Sequence, residues 1–254
     1  MTLLRAEHLK VQFGGLVAVK DVSFSVEPAQ IFCIIGPNGA GKTTLFNLFS
    51  RIYAPTAGRM FIDGVDFTAV PAHRVARLGI ARTFQNLELF DHASVLENLL
   101  VGRHRFRQRG FLAESWFGKA MWEVELESRR AVEEVIDFLD LHRYRDTLVG
   151  ALPYGVRKVI ELGRALCSQP RLLLLDEPSS GLNAEESEDI GYWILDIKRR
   201  FGITVLMIEH DMSLVSQVSD RVLALNEGSV MAEGSVQEVQ SHPLVIEAYL
   251  GVQS

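Results

Sequence analysis

The pattern of apolar and polar positions divides the chain into a β-rich beginning, a helical middle and an alternating end. Short extended runs come first, separated by turn signals at Gly14-Gly15 and Glu27-Pro28, and they read LLRAEHLKVQF, LVAVKDVSFSV and QIFCII. Helices and strands then alternate. The pattern predicts a helix after Gly41, a strand at RMFID, a helix near Ala72 to Leu78 and a strand at GIARTFQ.

The middle of the chain, residues 93–168, has apolar positions at helical spacing and few β-branched runs. The segments that carry this spacing are ASVLENLLV, WEVELESRRAVEEVIDFLDLH and VRKVIELGRALC. We therefore predict a helical insert. Its basic and aromatic stretch within residues 103–120, HRFRQRGFLAESWFGK, is compatible with nucleic-acid binding or with a solvated connector between helices, and we favour the connector.

Two apolar runs after the insert, RLLLLDEP and ITVLMIEH, are too short for helices and have helical segments on either side. Such runs are typical of buried parallel strands in an α/β core. Two extended segments, RVLALNEG and SVMAEG, precede a last helix that ends in VIEAYLG. We predict one domain over residues 1–254, with a core formed by 1–92 and 169–254 and a helical subdomain over 93–168.

Composition limits the possible functions. A chain of 254 residues with 48% hydrophobic and 23% charged residues can bury one substantial core. A net charge of −6 and a pI near 5.7 argue against direct nucleic-acid binding, because they give no broad basic field. Apolar stretches such as Leu172 to Leu175 are far shorter than the roughly 20 residues that span a bilayer. The start, MTLLRAEHLK, has no secretory pattern, so we expect any membrane connection to come through a partner.

The two cysteines, Cys33 and Cys167, are far apart and lie in apolar segments without a CxxC pair. We expect buried thiols, as in proteins of a reducing cytoplasm.

The sequence GPNGAGKT contains two glycines separated by four residues and followed by Lys and Thr, the pattern of a phosphate-binding loop. A predicted strand precedes it and a predicted helix follows it. In that setting the backbone N–H groups and the Lys ammonium bind phosphates, and the Thr hydroxyl binds Mg²⁺. The motif thus predicts a bound nucleotide with Mg²⁺. The predicted nucleotide-binding residues here are Gly36, Pro37, Asn38, Gly39, Ala40, Gly41, Lys42, Thr43 and Thr44.

The segment LLLLDEP places two carboxylates at the end of an apolar strand, where α/β sheets bind ligands. We predict that Asp176 joins Thr43 in holding Mg²⁺, directly or through water. Glu177 is the better candidate for general base toward the attacking water. An adjacent acidic pair is weak support on its own.

With these motifs the chain resembles the nucleotide-binding subunits of ABC transporters over essentially its whole length. Phe13 stands where that family has an aromatic residue stacked on adenine, and Gln85 where it has the glutamine of its switch loop. Residues 152–158, LPYGVRK, take the place of the LSGGQ signature, and 179–183, SSGLN, match the loop after the catalytic Glu. His210 in MIEHD matches the switch histidine. Only the order and spacing of these elements make the resemblance strong.

The resemblance implies a P-loop NTPase fold with a mainly parallel core sheet, an N-terminal antiparallel β subdomain and an inserted helical subdomain. It also implies catalytic roles for Lys42, Gln85, Glu177 and His210, with Gln85 as a further Mg²⁺ contact. Simpler readings remain open. Phe13 could be a core aromatic, Gln85 and His210 could be polar residues at strand ends, and residues 152–158 could be a turn before a helix.

The signature segment departs from the family pattern. Pro153, Tyr154 and Val156 replace its Ser, Gly and Gln, while Leu152 and Gly155 are unchanged. The resemblance implies that residues 152–155 face ATP held by a partner subunit. Because the serine hydroxyl is absent, we expect the backbone N–H of Gly155 and a helix beginning near Val156 to contact the phosphate.

These departures make the chain similar to LivG-type ATPases of branched-chain amino acid importers, as do FGGLVAV, ARTFQNLELF, VLENLLVGRH and IEAYLG. Asn183 replaces the usual Asp and removes a charge at the expected dimer interface. The resemblance implies a second ATPase, of LivF type or another copy, two permeases of LivH and LivM type, and an extracytoplasmic solute-binding protein. It places the subunit on the cytoplasmic face of the inner or plasma membrane, with no nucleic-acid partner.

The implied function is an ATPase that energises import of branched-chain amino acids or a related small polar solute. ATP would close the dimer, and closure would move the permeases through contacts near Gln85 and the helical insert. A rival hypothesis is a soluble ABC-type switch on ribosomes or nucleic acid, although such proteins usually have tandem ATPase domains or a long coiled coil. An exporter or a lipid-extraction ATPase with the same chemistry is a third.

Overall fold

A computed structural model of the chain describes residues 2–83, 87–107 and 119–250. The chain divides into two compact units, one made of residues 1–85 and 171–254 and one of residues 86–170. The helical insert that we predict over 93–168 falls within the second unit, and its exact bounds stay a prediction. Among the described residues, no helix combines the length and the apolar character needed to cross a membrane.

Within its described residues, the first unit forms a ten-stranded sheet in the order β5-β4-β1-β2-β10-β9-β3-β8-β7-β6. The strands are β1 (Leu4–Phe13), β2 (Leu16–Val26), β3 (Ile31–Ile35), β4 (Ala57–Ile62), β5 (Val65–Asp66), β6 (Ile80–Arg82), β7 (Leu172–Asp176), β8 (Thr204–Ile208), β9 (Arg221–Asn226) and β10 (Ser229–Gly234).

The sheet has an antiparallel part and a parallel part. Strands β1, β2, β4 and β5 pair antiparallel with one another, and β9, β3, β8, β7 and β6 pair parallel with one another in that order. Strand β10 joins the two parts, since it pairs antiparallel with β9 and parallel with β2. The predicted combination of a mainly parallel core sheet with an N-terminal antiparallel β region is therefore confirmed.

The central parallel strands explain where the site lies. Every residue of β3, β7 and β8 is buried, as expected for strands covered on both faces. In the pairing register, Ile208 lies beside both Ile34 and Asp176. The carboxyl ends of these three strands therefore lie side by side, and so do the loops that follow them.

The helices, given in chain order, lie in both units. They are α1 (Lys42–Phe49), α2 (Ala72–Val75), α3 (Val95–Val101), α4 (His104–Arg107), α5 (Lys119–Phe138), α6 (Tyr154–Cys167), α7 (Ala184–Phe201), α8 (Met212–Val218), α9 (Val236–Gln240) and α10 (Pro243–Leu250). Short 3₁₀ turns follow α2 at Ala76–Leu78 and precede α6 at His142–Tyr144 and Val149–Ala151.

The second unit consists of α3 to α6 with their connections, in agreement with the helical pattern of its sequence. Of the basic stretch at 104–119, the described residues are His104–Arg107, which form α4, and Lys119, which begins α5. Helix α6 begins at Tyr154, two residues before the expected start near Val156, because the extended Pro153 already serves as its N-cap. Gly155 therefore lies inside the first helical turn.

Candidate functional site

The phosphate-binding loop connects the buried strand β3 to α1. Gly36, Gly39 and Gly41 have φ angles of 150°, 83° and 98°, a region that favours glycine. A Cβ atom on Gly36 would lie 2.2 Å from the Leu225 carbonyl oxygen, and one on Gly41 2.6 Å from the Ala18 carbonyl oxygen. The loop is thus pressed against β2 and β9. Gly36 and Gly41 are required by both backbone conformation and space, and Gly39 by backbone conformation alone.

The turn between β9 and β10 supports the same loop from another side. The Gly228 N–H donates to the Ala40 carbonyl over 3.0 Å, and the Lys20 N–H donates to the Gly228 carbonyl over 2.8 Å. These bonds join the loop to strand β2 through the turn. The β9–β10 turn therefore supports the phosphate-binding loop at Ala40.

Lys42 begins α1 and is buried. Its ammonium donates to the carbonyl oxygens of Gly36 at 2.6 Å and Pro37 at 3.0 Å. Burial lowers the pKa of Lys42, while the nearby carboxylates of Glu177 and Asp176 act in the opposite direction. The side chain is folded back over its own loop, which is where nucleotide phosphates bind in loops of this kind.

A cavity of about 650 Å³ lies over this loop, which is large enough for a nucleotide. It brings together most of the predicted loop residues and Glu177. Its lining residues are Leu16, Val17, Ala18, Lys20, Asn38, Gly39, Ala40, Gly41, Lys42, Thr43, Thr44, Glu177 and Glu227. Gly36 and Pro37 are not among the lining residues, and their carbonyl groups accept hydrogen bonds from the Lys42 ammonium.

Asp176 is the last residue of β7 and is buried. Its Oδ2 atom accepts a hydrogen bond from Arg82 Nη2 at 2.8 Å, an ion pair in which both side chains are buried. Arg82 Nη1 also donates to Asn47 Oδ1 on α1 and to Oγ of Ser50, the C-cap of that helix. Arg82 therefore fixes the Asp176 carboxylate beside the helix that follows the phosphate-binding loop.

Glu177, the next residue, has a φ angle of 49°, which is uncommon for a residue with a side chain. Its N–H donates to the Ile208 carbonyl at 3.0 Å, and its own carbonyl accepts from the Ser180 N–H at 3.1 Å. Backbone conformations of this kind cluster at functional sites. Glu177 is also one of the residues that line the cavity.

His210 follows β8 by two residues. Its Nδ1 atom lies 3.9 Å from Glu177 Oε1 and 3.8 Å from Glu209 Oε2, and its side chain is 60% exposed. The ring thus lies between two carboxylates at the edge of the site, so the structure brings the two predicted residues Glu177 and His210 together.

The oxygen atoms near the cavity fit Mg²⁺. Thr43 lines the cavity, and Asp176 lies at the end of the adjacent strand. Within residues 2–83, 87–107 and 119–250, no group of three or more His, Cys, Asp or Glu side chains could hold a metal. Mg²⁺ is usually bound by a hydroxyl, one carboxylate and the phosphates of a nucleotide. The Thr43 hydroxyl and the Asp176 carboxylate therefore suit an ion that binds together with the nucleotide.

Other predicted residues lie elsewhere. Phe13 ends β1, is 44% exposed and packs edge to face against Tyr53 with ring centroids 5.1 Å apart, outside the cavity lining. Gln85 lies outside the described residues. Leu152, Pro153, Tyr154 and Gly155 belong to the second unit, where Arg157 N–H makes a 3.1 Å bond to the Pro153 carbonyl.

Sequence reasoning missed Arg82, Glu209 and the cavity-lining pair Lys20 and Glu227. Lys20 Nζ and Glu227 Oε2 are 3.7 Å apart. Arg82 and Asp176 are separated by 94 residues, and Glu209 binds a residue 30 positions earlier. The sequence did hold one indication of a role for Arg82 and Glu209. Both are charged residues in or next to short apolar runs, and a buried charge is costly unless it is paired.

Comparison with known proteins places these features in a family context. The family profile described as ABC transporter matches residues 19–180, and the one described as Branched-chain amino acid ATP-binding cassette transporter matches residues 229–253. BraF of Pseudomonas aeruginosa, a high-affinity branched-chain amino acid transport ATP-binding protein, is 39% identical over 249 residues, which is 98% of each chain. The corresponding LivG of Escherichia coli is 35% identical over 249 residues, again 98% of each chain.

Solved structures agree. A nucleotide-free ATP-binding cassette from an ABC transporter superposes with a TM-score of 0.85 at 33% identity, covering 98% of this chain and 99% of that one. The ADP conformation of an ATP-binding cassette of an ABC transporter gives a TM-score of 0.86 at 33% identity, covering 99% of both chains.

Proposed function

Because the chain belongs to the ATP-binding subunits of ABC transporters, within the branched-chain amino acid group, we propose that it is the ATPase that energises an importer of branched-chain amino acids or a related small polar solute. The observation that carries this proposal is the cavity in which the phosphate-binding loop, Lys42 and the Glu177 carboxylate meet. Hydrolysis of a nucleoside triphosphate requires groups that donate hydrogen bonds to the phosphates and a general base in the same cavity.

In this proposal the chain positions ATP and stabilises the charge that develops on its phosphates. The backbone N–H groups of the loop and the N-terminus of α1 bind the phosphates, and Lys42 exchanges its carbonyl partners for phosphate oxygens. Glu177 accepts a proton from the attacking water, and His210 contacts the γ-phosphate. When Mg²⁺ is bound by Thr43 and Asp176, with Gln85 as a further contact, it neutralises phosphate charge.

The second unit supplies the other half of a site. Residues 152–155 stand at the start of α6, where first-turn N–H groups have no acceptor in their own helix. We propose that they bind the γ-phosphate of ATP held by a second ATPase, either a related subunit or another copy. Phe13 would reach the adenine from the end of β1. ATP would therefore hold two subunits together, and hydrolysis would release them.

The membrane connection is part of the proposal. The subunit would sit on the cytoplasmic face beneath two permeases, and an extracytoplasmic binding protein would deliver the solute to them. Contacts near Gln85 and the helical unit would transmit closure of the ATPase dimer. The names of the relatives support this arrangement, since BraF and LivG are ATP-binding proteins of branched-chain amino acid transport.

Affinity purification of the tagged chain from membranes of its own cell tests the proposal. We expect it to recover a second ATPase and two permeases, and we expect the complex in proteoliposomes, with its binding protein, to take up leucine, isoleucine or valine when ATP is supplied on the ATPase side. Recovery with ribosomes or nucleic acid, and with no membrane protein, would contradict the proposal.

A further inference from the structure

Glu209 is a buried carboxylate that the proposed mechanism does not use. It follows β8 directly, precedes His210 and has 0% exposure. A charged group in such a place is costly unless donors surround it. Here it accepts from four donors, two on each oxygen.

The two oxygens serve two different loops. Oε1 accepts from the N–H of Ser179 at 2.9 Å and from its hydroxyl at 2.6 Å, in the loop after β7. Oε2 accepts from the N–H of His210 at 2.8 Å and from that of Asp211 at 3.1 Å, in the loop after β8. A single side chain therefore ties the loop that follows Glu177 to the loop that carries His210.

Further hydrogen bonds hold both loops on either side of Glu209. Asp211 caps α8 through the N–H groups of Ser213 and Leu214, which fixes the far side of the His210 loop. The Glu177 N–H bonds to Ile208, which fixes the near side of the other loop. Between these points the separation of His210 Nδ1 and Glu177 Oε1 is 3.9 Å. Glu209 holds the His210 backbone through its N–H and so sets the point from which the ring reaches toward Glu177.

We propose that Glu209 is a positioning residue for ATP hydrolysis, whose carboxylate holds the His210 loop and the Glu177 loop at the separation that the reaction needs. The inference rests on the proposed function, because it assigns Glu209 a role in the same site. Glu209 acts through its neighbours and does not itself contact the nucleotide.

The chemistry requires a carboxylate at this position. All four partners donate, so both oxygens must accept. In Glu209→Gln one oxygen becomes an NH₂ group, and whichever loop it faces then meets a donor in place of an acceptor. The side chain keeps its length and volume, so the variant loses one connection without leaving a cavity. Unsatisfied buried donors of this kind move or open the loop that contains them.

Thr204→Val is a matched control. Thr204 lies at the opposite end of the same strand and is also buried, and its hydroxyl accepts from the Ala29 N–H at 2.8 Å. The substitution keeps the shape of the side chain and removes a buried acceptor far from the cavity. It therefore reports what a loss of stability alone does to turnover.

The test measures kcat and KM for ATP hydrolysis by the purified transporter complex, together with nucleotide binding and Tm. We expect Glu209→Gln to lower kcat by about tenfold to a hundredfold, a usual cost of misplaced catalytic groups. KM and ATP affinity should change little, because the phosphate-binding loop is untouched. Ser179→Ala, which keeps the N–H and loses the hydroxyl, should give a smaller drop in kcat. Thr204→Val should lower Tm and leave kcat unchanged.

A double-mutant cycle with His210→Ala separates positioning from general damage. If Glu209 acts by placing His210, its substitution in the His210→Ala background should cost much less than in the wild type. Losses that are fully multiplicative both with His210→Ala and with Ser179→Ala, which reports on the Glu177 loop, would overturn the inference, and so would equal kcat for Glu209→Gln and Thr204→Val. If His210→Ala and Glu177→Gln also hydrolysed ATP at the wild-type rate, the proposed function itself would fail.

Discussion

At the scale of single residues, burial decides how the ionisable groups near the site behave. Lys42 is buried and has a lowered pKa, mainly because burial disfavours its charge. Two backbone carbonyls and two nearby carboxylates compensate. A nucleotide would bring more negative charge to the same place. The site is thus arranged so that Lys42 gains from binding phosphate.

The two thiols respond to the same burial in the opposite direction. Both Cys33 and Cys167 are free and buried, as the sequence predicts. Burial raises the pKa of Cys167 to about 12 and that of Cys33 well above its ordinary value. Because the thiolate is the reactive form, neither cysteine should react quickly in the folded protein.

We predict that a maleimide or disulfide reagent at pH 8 labels neither cysteine in the native protein and labels both in denaturant. The single variants Cys33→Ala and Cys167→Ala assign the signals. Since both pKa values are raised by folding, the stability linked to them is complete below the ordinary value of 9.0 and is lost as pH rises above it. Fast labelling of a native thiol would show that its segment is open to solvent.

At the scale of elements, the starts of the helices fall into two groups. Ser94, Asn183, Asp211 and Ser235 cap α3, α7, α8 and α9 with side-chain oxygens. Helices α1 and α6 and the short α2 begin after Gly41, Pro153 and Pro71, none of which has a polar side chain. The starts of α1 and α6 are the ones to which we assign phosphate. Their N–H groups are left for a ligand.

Asn183 explains one departure from the family pattern. Its side chain accepts from the Glu186 N–H at 2.9 Å, and the Glu186 carboxylate accepts from the Asn183 N–H at 3.0 Å, a complete capping box. Asn and Asp cap helices about equally well, so the replacement keeps the helix start while it removes a charge.

We predict that Asn183→Ala lowers the free energy of unfolding by about 1 kcal/mol, the usual cost of losing an N-cap. Asn183→Asp should leave it nearly unchanged. Urea unfolding followed by circular dichroism measures both. If both variants lost the same free energy of unfolding, the capping oxygen would contribute nothing and the side-chain NH₂ group would be what stabilises the protein.

The start of α6 supports a second prediction at this scale. If the segment at residues 152–155 binds phosphate through its backbone, Pro153→Ala should change ATPase activity little, since Pro153 contributes no N–H. A bulky residue such as Val at Gly155 should reduce activity strongly, because its side chain would stand where the phosphate approaches the first turn. The ATPase rate of the assembled transporter measures both, and the reverse order of effects would refute backbone recognition.

At the scale of the whole molecule, much of the architecture follows from local sequence patterns. The runs IFCII, LLLLD and TVLMI predict buried parallel strands because they are apolar on both faces, and the chain places them next to one another. Once these strands are adjacent, the phosphate-binding loop, Asp176 and Glu177 must meet. The sequence therefore predicted the residues of the phosphate-binding loop and Glu177, and the strand order of the structure brings them together.

What the sequence could not predict depends on contacts between distant segments. Three contacts join residues far apart in the chain. They are the Arg82–Asp176 ion pair, the hydrogen bonds from Ser179 to Glu209, and the bond of the β9–β10 turn to Ala40. No local period encodes them, since each depends on strand order. The early start of α6 was missed for another reason. Pro153 is compatible with the backbone angles of an N-cap, but it has no polar side chain that would mark the cap in the sequence.

In the proposed mechanism the Glu177 carboxylate accepts a proton from the attacking water, and the phosphate-binding loop binds ATP independently of that carboxylate. The most direct test compares Glu177→Gln with the wild type in the reconstituted transporter, measuring ATP binding, ATP hydrolysis and leucine uptake on the same preparation. We predict unchanged ATP affinity, hydrolysis reduced about 10²-fold to 10⁴-fold, as expected for loss of a general base, and no uptake. Hydrolysis and uptake near the wild-type rates would contradict the account.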